Sequence, residues 1–180
     1  MWWDRGRLKE FERLMLPSMP AAYRLAWAIV RDSDDAADVV QDAYLRAHAA
    51  FAGYRGDSAH AWLLAIVRNS ALRILRTRSR HANVISFEAA GHGAHAFSAD
   101  PSPESRAAQR GEIVRLQRAL DDLPVPYREA ILLREIEGLS YREIAEVLGV
   151  PQGTVMSRLS RGREQLRVSL AEPEPCEKRE

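Results

Sequence analysis

Thr154, Ser157, Arg158 and Arg161 recur at relative spacings of 0, 3, 4 and 7, which puts them on one face of a helix. Arginine can bond a guanine edge at two points, and small hydroxyls can bond bases or phosphates, so this face suits duplex DNA. A second set lies upstream. Trp62, Asn69, Arg73 and Arg76, with Thr77 nearby, fall on one side of a helix within Ser58–Phe87, a stretch without acidic residues that also holds Arg68, Arg78 and Arg80. Arginines hold phosphates and aromatic rings stack on unpaired bases, which suits nucleic acid again. For Trp62 alone, packing into the protein is the simpler expectation. The preceding loop Phe51–Ser58, with Tyr54 and Arg55, has two glycines and room to cup an extruded base. A third set has no catalytic chemistry: Asp38, Gln41 and Asp42 surround Leu45 on an otherwise polar helix face. One apolar anchor among acids is what docking to a basic protein surface requires, although single exposed leucines are also common.

Helices must position all three sets. Apolar periodicity is helical nearly throughout and predicts helices over 7–16, 20–31, from Ser33 or Asp34 to about 51, and over 59–78. Four more are expected over 107–121, 127–137, 141–148 and 152–170. Ser140 and Glu143 form a capping box, with Arg142 between them, and Gly149-Val150-Pro151 supplies a tight turn before the next helix. Val155, Leu159 and Leu166 face one way on that helix, with Gly162 among them for close packing. A short helix, a glycine turn and a longer helix make a helix-turn-helix, whose second helix enters the major groove. The fold expected is all-α: two small helical domains, 1–80 and 107–171, joined by a flexible linker at 81–106 and followed by a disordered tail at 172–180.

Composition narrows the remaining classes. The 180 residues carry a net charge of only +1, so the local arginine clusters say more than the total. The single cysteine, Cys176, excludes a disulfide framework and a zinc-thiolate cluster. With no long apolar run and no apolar signal core, a cytoplasmic protein without membrane insertion is expected. His81, His92 and His95 sit in or beside the linker without a scaffold to hold a metal, so no metal and no cofactor are expected.

Four segments in order resemble the extracytoplasmic-function (ECF) sigma factors of the sigma-70 family: Asp34–Ala47, Ala61–Asn69, Leu123-Pro124 through Arg128-Glu129-Ala130 to Gly138–Ala145, and Gly149–Leu159. The resemblance covers about 8–80 and 107–170, and implies sigma region 2 and sigma region 4 for the two domains. It implies that Asp38, Gln41, Asp42 and Leu45 dock on the β′ clamp helices of core RNA polymerase, with the β flap as a further contact. It implies that Tyr54, Arg55, Trp62, Asn69, Arg73 and Arg76 engage the −10 promoter element and help melt it. Arg142, Thr154, Ser157, Arg158 and Arg161 would read the −35 element, and an anti-sigma factor would hold the protein inactive. The protein would be a specificity subunit and not an enzyme. Arg73 stands where family members often have aspartate, and Met156 where lysine is common. The competing reading is a DNA-binding regulator, or a sigma mimic, that does not bind polymerase.

Overall fold

The computed structural model describes residues 5–82 and 103–171, with the side chains of 79–110 excepted. Helix α1 (Arg5–Met15) buries Phe11 and Met15 and gives way to a tight turn at Leu16–Ser18, where Pro17 cannot continue the ladder. Helix α2 (Met19–Val30) is the centre of the N-terminal bundle. It buries Ala21, Ala22, Leu25, Ala26, Ala28, Ile29 and Val30, and the four alanines let neighbouring helices approach closely. It ends on Arg31, a non-glycine residue in the left-handed conformation at φ 60°, whose guanidinium lies 4.3 Å from the Trp27 ring centroid.

The cap of α3 (Ser33–Ala50) is Asp32, one residue before Ser33 and two before Asp34, the two caps expected. Its carboxylate accepts from the backbone N–H groups of Asp34 and Asp35 at 3.0 and 2.9 Å. Ala36, Val39, Ala43 and Ala47 face inward, as their spacing predicts. Helix α4 (Ala59–Ala82) packs Leu63, Leu64, Val67 and Ala71 against α2 and α3.

The C-terminal half starts with α5 (Pro103–Asp122), followed by α6 (Val125–Ile131). The expected linker is therefore trimmed at both ends, because residues 81–82 and 103–106 are helical. Its remainder, 83–102 with His92 and His95, lies outside the described residues, as does the expected tail 172–180 with Cys176. After α6 the chain widens into a π-turn over Leu132–Ile136, closed by Glu137 N–H donating to the Leu132 carbonyl at 3.1 Å. Helices α7 (Tyr141–Leu148) and α8 (Gln152–Ala171) complete the half.

The two halves pack against each other, which a pair of bundles on a flexible tether does not predict. Their buried residues form one continuous apolar cluster, with α2 against α6 and α4 against α7. Charged groups cross the seam. Arg24 donates twice to the Glu137 carboxylate, at 2.8 and 3.0 Å, and Arg68 donates to Glu129 at 3.0 Å. Arg31 pairs with Asp121. Arg128 donates at 2.6–2.9 Å to the carbonyls of Leu120, Asp121 and Leu123 at the end of α5, and at 2.7 Å to that of Ala28 near the end of α2. One guanidinium thus satisfies orphan carbonyls of two helices from different halves.

Candidate docking and nucleic-acid surfaces

On α3, Asp38 and Gln41 are exposed, and Leu45 is 66% exposed despite its size. Asp42 is different. Its carboxylate is held by Arg46 one turn along, by the Ser70 hydroxyl and by Arg73 of α4, each at 2.7 Å. Burial pushes its pKa up, but the hydrogen bonds from Arg46, Ser70 and Arg73 outweigh that and hold it at about 2. Asp42 is a fixed, permanently charged acid one turn before an exposed leucine. Ser70, buried within α4, was not singled out by sequence reasoning. It lies in the acid-free helix, and the only available signal was a small hydroxyl on that helix's inner side.

On α4, Asn69, Arg73 and Arg76 are exposed, in keeping with one outward face. Trp62 is half-buried, and its ring lies 4.9 Å from that of Tyr54, which itself stacks on Phe51 at 6.1 Å. Packing therefore takes up part of both rings expected to meet bases. The loop before α4 is ordered by these contacts. Phe51–Gly53 form a turn of 3-10 helix, and a side chain at Gly56 would meet the Tyr54 ring at 3.0 Å. Arg55 folds back on the loop, donating to the carbonyls of Ala52 and Tyr54 at 3.1 and 2.8 Å.

The helix-turn-helix has the expected local chemistry. The Ser140 hydroxyl accepts from the Glu143 N–H, and the Glu143 carboxylate accepts from the Ser140 N–H at 2.9 Å, so the capping box is closed in both directions. These bonds from Ser140 hold the Glu143 carboxyl below its ordinary range. Gly149 adopts the left-handed conformation at φ 62° and turns the chain into α8. On α8, Val155, Leu159 and Gly162 are buried. A side chain at Gly162 would lie 3.1 Å from Ile131 and 3.3 Å from Tyr127, so glycine there lets α8 close on α6.

The residues expected to read duplex DNA divide. Ser157 and Arg161 are exposed and Thr154 is half-exposed. Arg158 leans inward: one of its guanidinium nitrogens is buried without a hydrogen-bond partner, and its charge acts on Glu129. Glu129 is buried, which raises its pKa, while Arg68, Arg158 and Arg128 oppose the rise. Arg142 reaches Asp57 of the loop before α4 at 3.4 Å. Sequence reasoning did not single out Glu129 and Glu137 as partners of Arg68 and Arg24, because nothing in helix periodicity says which halves of a chain will meet. Among the described residues no group of three or more metal-ligating side chains occurs. No helix among them is long and apolar enough to cross a membrane.

Comparison with known proteins agrees with this arrangement. The family model for sigma-70 region 2 matches residues 14–81, and that for sigma-70 region 4 matches 113–166. The RNA polymerase sigma-H factor of Pseudomonas aeruginosa is 38% identical over 93% of this chain and 89% of its own length. The ECF RNA polymerase sigma factor SigE of Mycolicibacterium smegmatis is 37% identical over 93% of this chain, which spans 64% of that protein's length. The ECF sigma-E factor of Escherichia coli is 38% identical over 73% of this chain and 72% of its own. Among solved structures, the sigma factor RpoE of Bartonella quintana, in complex with the anti-sigma factor NepR, superposes with a TM-score of 0.78. It is 29% identical and the match covers 90% of this chain and 97% of that one. CnrH in complex with the cytosolic domain of CnrY gives a TM-score of 0.62 at 26% identity, over 91% and 88% of the two chains. With both region models matched in order and relatives of this similarity along nearly its whole length, the chain belongs to the sigma-70 family of RNA polymerase sigma factors, in its extracytoplasmic-function group.

Proposed function

We propose that this protein directs core RNA polymerase to a set of promoters by docking through α3 and contacting DNA through α4 and α8. The domain division is 1–80 for polymerase and −10 binding and 107–171 for −35 binding. Leu45, Gln41 and Asp38, with Asp42 held rigid, form the contact with the β′ clamp helices, and region 4 adds a contact to the β flap. Asn69, Arg73 and Arg76, with Tyr54, Arg55 and Trp62 beside them, engage the −10 element. Thr154, Ser157, Arg158, Arg161 and Arg142 engage the −35 element. Polymerase supplies the bond-making chemistry, and this subunit supplies promoter choice and strand opening. It works in the cytoplasm, and an anti-sigma factor restrains it.

The observation that carries this reading is the exposed Leu45 beside the clamped Asp42. A DNA-binding regulator has no use for a rigid acid next to an exposed apolar anchor on α3, outside its helix-turn-helix. The test is binding of purified protein to bacterial core polymerase. Leu45→Asp and Asp42→Arg should each weaken it at least about tenfold, the scale of a central anchor. Unchanged binding by both variants would contradict the docking assignment and favour the sigma-mimic reading.

A further inference from the structure

Asp42 meets two kinds of donor. Arg46 and Arg73 reach its carboxylate from side chains 51% and 53% exposed, whereas Ser70 is 2% exposed, between the buried Val67 and Ala71 of α4. All three bonds are 2.7 Å long and end on the same oxygen, Oδ2; Oδ1 takes none of them. A serine hydroxyl has one hydrogen, and within a helix it commonly goes to a carbonyl of the preceding turn. Here it crosses to the neighbouring helix, to a carboxylate 28 residues away in the chain.

The difference in exposure decides which donors can leave. An arginine at the surface regains water when it lets go, and a surface ion pair contributes little. A hydroxyl inside a packed helix pair has nowhere to go. A basic side chain arriving at Asp42 therefore displaces the arginines and leaves the serine bond in place. The geometry points to Ser70 as a positioning residue for polymerase docking. It holds the Asp42 carboxylate in one orientation, three residues from Leu45, while Arg46 and Arg73 yield to a basic residue of the polymerase. This role rests on the α3 docking proposed above. Without the hydroxyl the carboxylate keeps its charge, but it regains freedom about its side-chain bonds once the arginines have left. Ordering one side chain again on binding weakens affinity by roughly threefold to tenfold. Being neutral, the hydroxyl adds no charge to repel a basic partner, which a third cation in its place would do.

The test is the affinity of purified full-length protein for immobilised bacterial core polymerase, measured by surface plasmon resonance. Ser70→Ala should weaken binding roughly threefold to tenfold while keeping its helical melt. In an Asp42→Ala background the same change should have no further effect, because the hydroxyl then has no carboxylate to hold. Arg46→Ala should bind at least as tightly as the wild type. Wild-type affinity in Ser70→Ala would overturn the inference. So would an equal loss in the Asp42→Ala background, which would mean that the hydroxyl serves the fold and not the carboxylate. A loss in Arg46→Ala matching that in Ser70→Ala would overturn the division between fixed and yielding donors. If Ser70→Ala does not fold, Ser70→Cys decides, since it offers a weaker donor in the same place. Weakened binding by that variant supports the role of Ser70, and unchanged binding contradicts it. Wild-type affinity in Asp42→Ala would instead overturn the docking reading, and the role of Ser70 with it.

Discussion

Arg73 of α4 and Asp42 of α3 are 2.7 Å apart, although one belongs to the proposed −10 surface and the other to the proposed polymerase surface. The pair links the two surfaces across a helix–helix contact. A basic residue of polymerase approaching Asp42 competes with Arg73, and a phosphate approaching Arg73 competes with Asp42.

The first prediction concerns that carboxylate. Asp42 titrates at about 2 in the folded chain against about 3.9 unfolded, so its pKa is depressed. It therefore contributes stability that is fully present above pH ~4 and is lost as pH falls toward 2. Arg73→Ala removes one of three donors and should move the Asp42 titration upward, toward the ordinary carboxylate range. Carboxyl-carbon NMR of the two proteins between pH 2 and 6 reads this directly, and an unmoved titration would remove Arg73 from the account of Asp42.

The capping box should matter locally. Ser140→Ala deletes the cap acceptor for the Glu143 N–H and should cost about 1 kcal/mol. Urea denaturation of the full chain measures the loss, and Ser140→Asp, which restores an acceptor, should recover most of it.

Gly162 lies where α8 passes close to α6. Gly162→Val places carbon atoms within about 3 Å of Ile131 and Tyr127 and should destabilise the protein by roughly 1–3 kcal/mol through overpacking. A melting temperature equal to that of the wild type would show that the helices separate freely there.

Arg128 bonds four carbonyls with one planar fork. Arg128→Lys keeps the charge but not the fork, and should cost about 2–4 kcal/mol in denaturant titration. Arg128→Met should cost at least as much, because the carbonyls of Leu123 and Ala28 lose a buried donor. Wild-type stability in the lysine variant would mean that one ammonium group can replace the cap.

What the sequence made legible was whatever is local. The Ser140–Glu143 box, the Gly149 turn and the Val155–Leu159–Gly162 face depend on residues within a turn or two of each other, and each is present. Leu45 could be recognised as exposed because its neighbours on α3 are polar. The start of α3 differs from the expectation by one or two residues because Asp32, Ser33 and Asp34 are all competent caps, and the choice depends on which backbone leaves the helix first. The clamp on Asp42 was not legible, since Ser70 and Arg73 reach it from another helix. Nor was the seam: Arg24, Arg68, Glu129 and Glu137 read as ordinary charges until tertiary contact buries them. The same burial draws Arg158 inward from a face that a helical wheel shows as open.

The central claim, that this chain confers promoter choice on polymerase, is tested most directly by run-off transcription. Purified protein is added to bacterial core polymerase on a library of promoter-length DNA, and the transcripts are sequenced. The account predicts discrete start sites downstream of a shared two-part motif, absent with core polymerase alone and lost with Leu45→Asp. Transcripts no different from those of core polymerase alone, from a protein that also fails to bind it, would contradict the claim.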